Sequence, residues 1–303
     1  MSDSERTERH SPSKGPGSPD VWGFYDPPTG SAQYVVACPE TRKAALVDVV
    51  QDFDPAGFST GTEARDQAIA IVEREGLTVE WVLDTHPHAD HFTASVQLAG
   101  RFGVPNAIGT KVREIAELWR GLYNMPDAFD VDRDYARLFA DDDTFRIGKL
   151  DVRVMLSPGH TLGSITYVVG EDAAFVHDTL MQPDQGTARC DFPGGSAAEL
   201  WASIQAILAL PESTRLFIGH DYPGDDRDAP EWEATVAEHL ERNVHVKRGT
   251  DRDAWIAKRE KRDATLALPD RMLAALQVNL RAGQLPPPED DGHSYLKMPL
   301  NKF

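Results

Sequence analysis

The chain has few cysteines, few positive charges and no long apolar run. Two cysteines among 303 residues, Cys38 and Cys190, exclude a disulfide framework. Lys and Arg number 31 against 49 Asp and Glu, a formal net charge of −18. A protein that neutralises phosphates needs a basic surface, so nucleic acid is not an expected partner. The same charge slows the approach of anionic substrates except where Arg or Lys lines a site. No apolar stretch approaches the ~20 residues of a membrane span, so no membrane partner is expected either. Residues 1–20 lack a secretory apolar segment, and their acidic residues argue against an organellar transit peptide. They read as a disordered leader, and the protein reads as cytoplasmic. The chain as a whole is 41% hydrophobic, so residues 21–303 can bury one large core as a single domain, with 230–303 as a helical cap and tail.

From Trp22 onward strand-like and helix-like segments alternate, an α/β pattern. Ala32 to Cys38 and Ala44 to Val49 read as strands joined by a polar turn. Thr62 to Glu75 reads as a helix with Ala64, Ala68, Ile71 and Val72 on one face and Gly76 as its stop. Val79 to Asp84 reads as a strand and Phe92 to Phe102 as a helix. Leu118 to Leu138 is mixed and aromatic, broken at Asn124-Met125-Pro126, and suggests a loop or short helices. Asp151 to Leu156, Ser164 to Val169, Ala173 to Val176 and Arg215 to Ile218 are strand-like. Ser196 starts a helix through Leu208, with Glu199 in capping-box position. Glu231 to Val244, Asp251 to Ala264 and Asp270 to Arg281 read as helices. Tyr295 to Leu300 is apolar enough to pack back on the body.

The chemistry sits at strand ends. His86-Pro-His88-Ala-Asp90-His91 puts three imidazoles and a carboxylate within six residues, just after a strand. Downstream, His160, Asp178 and His220 each follow another apolar run. Imidazole and carboxylate together suit zinc, iron or manganese. A polar loop that merely contains histidines would not supply the later members in order.

These motifs resemble the metallo-β-lactamase superfamily. The resemblance implies an αβ/βα four-layer sandwich, with two mixed sheets face to face, helices outside and the metal site at one sheet edge. Three further segments resemble its persulfide dioxygenase (sulfur dioxygenase) and glyoxalase II-like branch. Gly186-Thr-Ala-Arg189-Cys-Asp191-Phe192 is similar to the G-x-x-R-x-D-F segment of the dioxygenases. His220-Asp221-Tyr222 matches their H-D-Y, where glyoxalase II carries H-E-Y. Gly159-His160-Thr161 fits as well. The resemblance implies one Fe(II) per chain on His86, His160 and Asp178, the two-histidine, one-carboxylate triad of non-haem iron oxygenases. The substrates implied are dioxygen and a thiol persulfide such as glutathione persulfide, giving sulfite and thiol. A homodimer is compatible with the chain.

His88, Asp90, His91 and His220 then orient and tune the metal, with Asp90 and Tyr222 as catalytic candidates. The same residues allow a second arrangement. In binuclear hydrolases of the superfamily, His86, His88 and His160 hold one zinc, and Asp90, His91 and His220 hold another. Asp178 bridges the two Zn(II) ions, and the substrate is a thioester or lactone. A metal-binding protein without enzyme activity is the third reading.

Arg189 is the candidate for a substrate carboxylate, with pairing to Asp191 or Asp221 as its structural alternative. Tyr222 could contact substrate or be a satisfied core tyrosine. Cys190 reads as buried and inert rather than reactive, and Cys38 as core. His177, where the superfamily more often has Gly, could crowd a second metal, bond Asp178 or point into the core. His10, His239, His245 and His293 read as solvated or capping residues.

Overall fold

Two β-sheets face one another in the computed structural model, which describes residues 7–224 and 227–302. The first sheet has seven strands, in spatial order β1 (Glu8–Ser11), β2 (Asp20–Asp26), β3 (Ser31–Ala37), β4 (Lys43–Val47), β8 (Thr78–Leu83), β10 (Asn106–Gly109) and β11 (Arg137–Phe139). The second has six: β12 (Thr144–Ile147), β13 (Leu150–Leu156), β14 (Ile165–Val169), β15 (Ala173–His177), β16 (Arg215–Ile218) and β17 (Glu233–Thr235). Two short pairs, β5 (Val50–Gln51) with β9 (Phe92–Thr93) and β6 (Phe53–Asp54) with β7 (Ser59–Thr60), lie outside both sheets.

Each sheet is mixed. Strands β4, β8, β10 and β11 run parallel, as do β15 and β16. Parallel neighbours need long crossovers, and helices supply them. They are α1 (Glu63–Arg74), α2 (Ser95–Phe102), α3 (Val112–Tyr123) with the single turn α4 (Val131–Asp134), and α5 (Ala197–Leu208). After β17 come α6 (Val236–Arg242), α7 (Arg252–Asp263) and α8 (Met272–Asn279).

The main core lies between the sheets, where Val36, Ala45 and Phe139 meet Val154, Tyr167, Phe175 and Phe217. Phe175 and Phe217 stack at 5.0 Å, with Tyr34 edge-on to both, geometries that add to simple burial. On the outer face of the first sheet, Ile71, Val72 and Leu98 of α1 and α2 cover Val35, Leu46 and Val82. Leu200, Ile204 and Ile207 of α5 join the core on the other side. Each such buried aliphatic is worth about 1.5–3 kcal/mol. The layering is the expected αβ/βα sandwich.

Four expectations need correction. Residues 1–6 of the leader lie outside the described residues, but residues 7–20 are ordered. Glu8–Ser11 pairs antiparallel with β2, and the fully buried Arg215 donates to Ser11, Pro12, Ser18 and Pro19. A five-donor guanidinium satisfies a polar loop from across the chain, which no local pattern announces. Second, α3 begins at Val112, before the aromatic run. Its face of Val112, Ile115, Ala116, Trp119 and Tyr123 is buried, and Asn124 ends it at φ +52°. Third, Glu231 to Val244 is not one helix. Glu233–Thr235 extends the second sheet, and the helix starts at Val236 behind the Thr235/Glu238 capping box. Fourth, only part of the tail packs back: Leu296 joins Phe92 and Val278, while Tyr295 and Leu300 stay exposed.

Candidate metal centre

The ends of β8, β13, β15 and β16 converge at one edge of the sandwich. They deliver His86 to His91, His160, Asp178 and His220, as the sequence pattern predicts. Apart from Ala89 and Asp90, which are partly exposed, all of these side chains are buried.

His86, His160 and Asp178 bring ligand atoms within 4.8 Å of one another. His86 Nε2 lies 3.6 Å and His160 Nε2 3.5 Å from the same oxygen, Asp178 Oδ2. The other side of each ring fixes its tautomer. The Thr85 hydroxyl donates to Asp48 Oδ2 (2.7 Å), so it accepts from His86 Nδ1 at 3.0 Å. His160 Nδ1 donates to the Arg189 carbonyl at 2.8 Å. Both Nε2 atoms therefore present lone pairs to a carboxylate oxygen, three acceptors with no proton between them. His86 Nε2 has no hydrogen-bond partner among the described residues. A buried polar atom so placed is costly unless a cation sits among the acceptors. The set fits a metal that takes imidazole and carboxylate.

His220 does something different. Its Nδ1 is 2.6 Å from Asp178 Oδ1, and its Nε2 is 2.6 Å from Asp90 Oδ2. Burial opposes charge on this ring, but the two carboxylates overcome it and hold the imidazolium well above the usual histidine range. Both nitrogens then donate. Burial would raise Asp178, yet contact with His220 holds its carboxyl far below the normal range. Ser31, at the start of β3, adds its hydroxyl 3.0 Å from His91 Nδ1 and 3.1 Å from His220 Nε2. His88, Asp90 and His91 form a second set of potential ligand atoms within 4.8 Å, and His91 Nε2 and His88 Nδ1 have no hydrogen-bond partner among the described residues. His220 is not part of that set.

Several residues that position these groups carry no motif in the sequence. Asp48, at φ +51°, accepts from Thr85 N and Oγ1 and lies 3.1 Å from His88 Nε2. Asn279, the last residue of α8, donates to the carbonyls of His88 and His91, both at 2.8 Å, and accepts from Thr93 N. The C-terminal helices thus brace the metal loop. The Arg189–Cys190 peptide is held at both faces: its carbonyl by His160 Nδ1 and its N–H by Asp263 Oδ2 at 2.8 Å. Asp263 is buried and paired with the buried Arg259, which also donates to the Thr187 carbonyl. A polar side chain spaced for the buried face of a charged helix is the one signal that could have flagged Asp263.

The open residues also resolve. His177 sits at φ +42° and bonds Thr179 Oγ1 (2.8 Å) and Ser157 Oγ (3.3 Å), not Asp178. Burial pushes it down to about 3, so it is a neutral ring packed against His86. Cys190 is buried, and burial with the adjacent Asp263 carboxylate pushes its thiol up to about 12, which makes it inert.

A cleft of about 750 Å³ opens from Asp90, His160, Asp178 and His220 towards α7. Tyr222 lines it, 54% exposed, with its ring parallel to His220 at 6.1 Å. It is not a core tyrosine. Arg189 lines the cleft too, but its guanidinium is committed elsewhere. It makes a two-pronged pair with Asp191 (2.7 Å each) and donates to the Ala267 carbonyl. Of the two readings of Arg189, the structure shows the pairing with Asp191: its fork is filled by its neighbour two residues on. Arg189→Ala should change KM less than about twofold in steady-state assays. It should lower thermal stability only modestly, as a partly exposed pair is worth about 1 kcal/mol or less.

His239 and His245 correct another expectation. His239 is fully buried, and burial pushes it down to about 4. His245 lines the cleft, half-buried, and burial together with Arg259 and Lys258 pushes it down to about 4 as well. Its Nδ1 accepts from Thr187 N at 3.1 Å, so its Nε2 carries the proton. Gly186 permits this approach. At φ +90°, a Cβ there would stand 2.2 Å from the His245 ring.

Comparison with known proteins places this architecture. The family model of the metallo-beta-lactamase superfamily matches residues 27–220. The chain belongs to the metallo-β-lactamase superfamily. A beta-lactamase hydrolase-like protein of Xylella fastidiosa is 55% identical over 94% of this chain, which spans only 65% of that relative's length. A protein named glyoxylase B2 from Dictyostelium discoideum is 40% identical, over 90% of this chain and 94% of its own. The bovine mitochondrial persulfide dioxygenase ETHE1 is 25% identical over 88% of this chain and 89% of its own. Among solved structures, ETHE1 from Myxococcus xanthus matches with a TM-score of 0.69 at 28% identity, covering 87% of this chain and 99% of that one. Relatives of the ETHE1 and the glyoxalase II-like kinds therefore both occur, in a superfamily of metal-dependent enzymes. No helix among the described residues is long and apolar enough to cross a membrane.

Proposed function

We propose that the protein is a mononuclear non-haem iron dioxygenase that oxidises a low-molecular-weight thiol persulfide. The persulfide, dioxygen and water give the parent thiol, sulfite and two protons. The observation that carries this reading is the triad His86 Nε2, His160 Nε2 and Asp178 Oδ2, with His220 engaged by two carboxylates instead of joining a second ligand set. Iron(II) held there would leave coordination positions for substrate and dioxygen and would couple their redox chemistry. The chain's own groups do the rest. Thr85 and the Arg189 carbonyl hold the two imidazoles in the ligand tautomer. The His220 N–H keeps Asp178 Oδ1 occupied, which leaves Oδ2 to the metal. Asp90, bonded to His220 Nε2 and bordering the cleft, is the group placed to take a proton from an incoming persulfide or water. Tyr222 offers its hydroxyl from the cleft wall. Similarity to proteins named ETHE1 supports the same reading.

A second reading has its own support. His88, Asp90 and His91 could hold another ion, and relatives at 55% and 45% identity bear hydrolase-like names. A binuclear zinc hydrolase of a thioester or lactone would follow. Metal analysis after anaerobic purification, with dioxygen uptake on glutathione persulfide, separates them. One iron per chain and uptake with sulfite release are expected. Two zinc ions per chain with thioester hydrolysis and no uptake would overturn the dioxygenase.

A further inference from the structure

Arg189 is paired with Asp191, so a cation that is free in the same cleft is better placed to meet a substrate's charge. Helix α7 lines the same cleft as the candidate metal ligands. Trp255, Arg259 and Asp263 recur every four residues as its buried face. Lys258 and Arg262, each one position earlier, form a second row at the same spacing, exposed and lining the cleft. Among the described residues neither has a hydrogen-bond or ion-pair partner, unlike most arginines of this chain. Two like charges four residues apart on a helix disfavour one another, so the pair does not serve helix stability. Asp184, an acidic residue of the same cleft, is already paired with Arg227. His245 Nε2–H adds a neutral donor beside the two cations, its tautomer fixed by Thr187 N. In a protein of net charge −18, an unpaired cationic row lining the same cleft as the candidate metal ligands is a built counter-site for an anion.

We infer that Lys258 and Arg262, with His245, hold the anionic group of the carrier thiol while its sulfur end reaches the metal. They are specificity-determining residues, and the inference rests on the persulfide reading for the sulfur end only. The anion is a carboxylate, as in glutathione, or a phosphate, as in coenzyme A. A carrier without an anion, such as cysteamine, gains nothing from the row.

The test is steady-state dioxygen uptake by the metal-loaded protein with the persulfides of glutathione, coenzyme A and cysteamine. Wild type is compared with Lys258→Ala/Arg262→Ala and with the outward-facing control Lys261→Ala. The double variant should raise KM about 10-fold or more for the anionic carrier, since charge-assisted bonds to both cations are lost, with kcat within about twofold. The carrier whose KM responds identifies the anion. KM for cysteamine persulfide, iron content and the control's kinetics should not change. High salt should raise the wild-type KM and leave that of the double variant nearly flat. Unchanged KM for both anionic persulfides would overturn the inference and leave the dioxygenase standing. Binding of S-methylglutathione and of S-methyl coenzyme A, measured by calorimetry, needs no turnover. If wild type oxidises no persulfide yet binds one of them through Lys258 and Arg262, the function fails and the anion site stands. If it binds neither, the site is overturned.

Discussion

Asp178→Ala should leave the protein folded, free of iron and inactive. The carboxylate is the only anion in the triad, and its Oδ2 is the atom that both His86 Nε2 and His160 Nε2 face. Its removal leaves two neutral imidazoles, too few to retain a divalent metal at ordinary affinity. It also frees His220 Nδ1, whose charge rests on Asp178 and Asp90. His220→Ala behaves differently if one metal is bound. Iron stays on its three ligands, while Asp178 and Asp90 both lose their shared donor. Activity should fall by about 10–100-fold, the usual cost of losing a group that orients a ligand. Metal analysis of the two variants decides between the arrangements. Loss of half the metal in His220→Ala would mean that the ring is a ligand and the centre binuclear.

The largest stability effect should come from a residue that touches no ligand. Asp263→Ala leaves the Arg259 guanidinium buried without its carboxylate and the Cys190 N–H without its acceptor. Breaking a buried pair from one side costs about 3–5 kcal/mol. For a chain of this size that is a fall in melting temperature of roughly 6–20 °C, readable by calorimetry. The damage should also reach the metal. Cys190 N and the Arg189 carbonyl share one peptide unit, and that carbonyl fixes the His160 tautomer. Iron affinity should therefore drop in the folded variant. A compensated variant, Arg259→Met with Asp263→Leu, removes both charges. It should recover much of the stability but not the iron affinity. If Asp263→Ala melts within 2 °C of wild type, about the shift from 1 kcal/mol or less, the pair is not the clamp described here.

The candidate metal ligands were legible in the sequence because each follows a strand. Strand ends are local events, marked by an apolar run and then a polar residue, and both sheets present theirs at one edge. The alternation gave an α/β chain, and the resemblance of its motifs to the superfamily implied the sandwich. His86, His160, Asp178 and His220 therefore needed no coordinates to be grouped. What the sequence could not give was how each polar atom is spent. Arg189 looked available in the chain and is filled by Asp191 in space. His245 looked like a surface residue and forms part of the cleft. Asn279 and Asp263, 188 and 73 residues from the loops they hold, read as ordinary helix residues. Arg215 orders a segment some 200 residues away that composition alone marked as disordered. Periodicity is set by neighbours along the chain, so the sequence determines strands, helices and the residues at their ends. Hydrogen bonds and ion pairs are set by neighbours in space, so only the tertiary structure decided which charges remain free to meet a substrate.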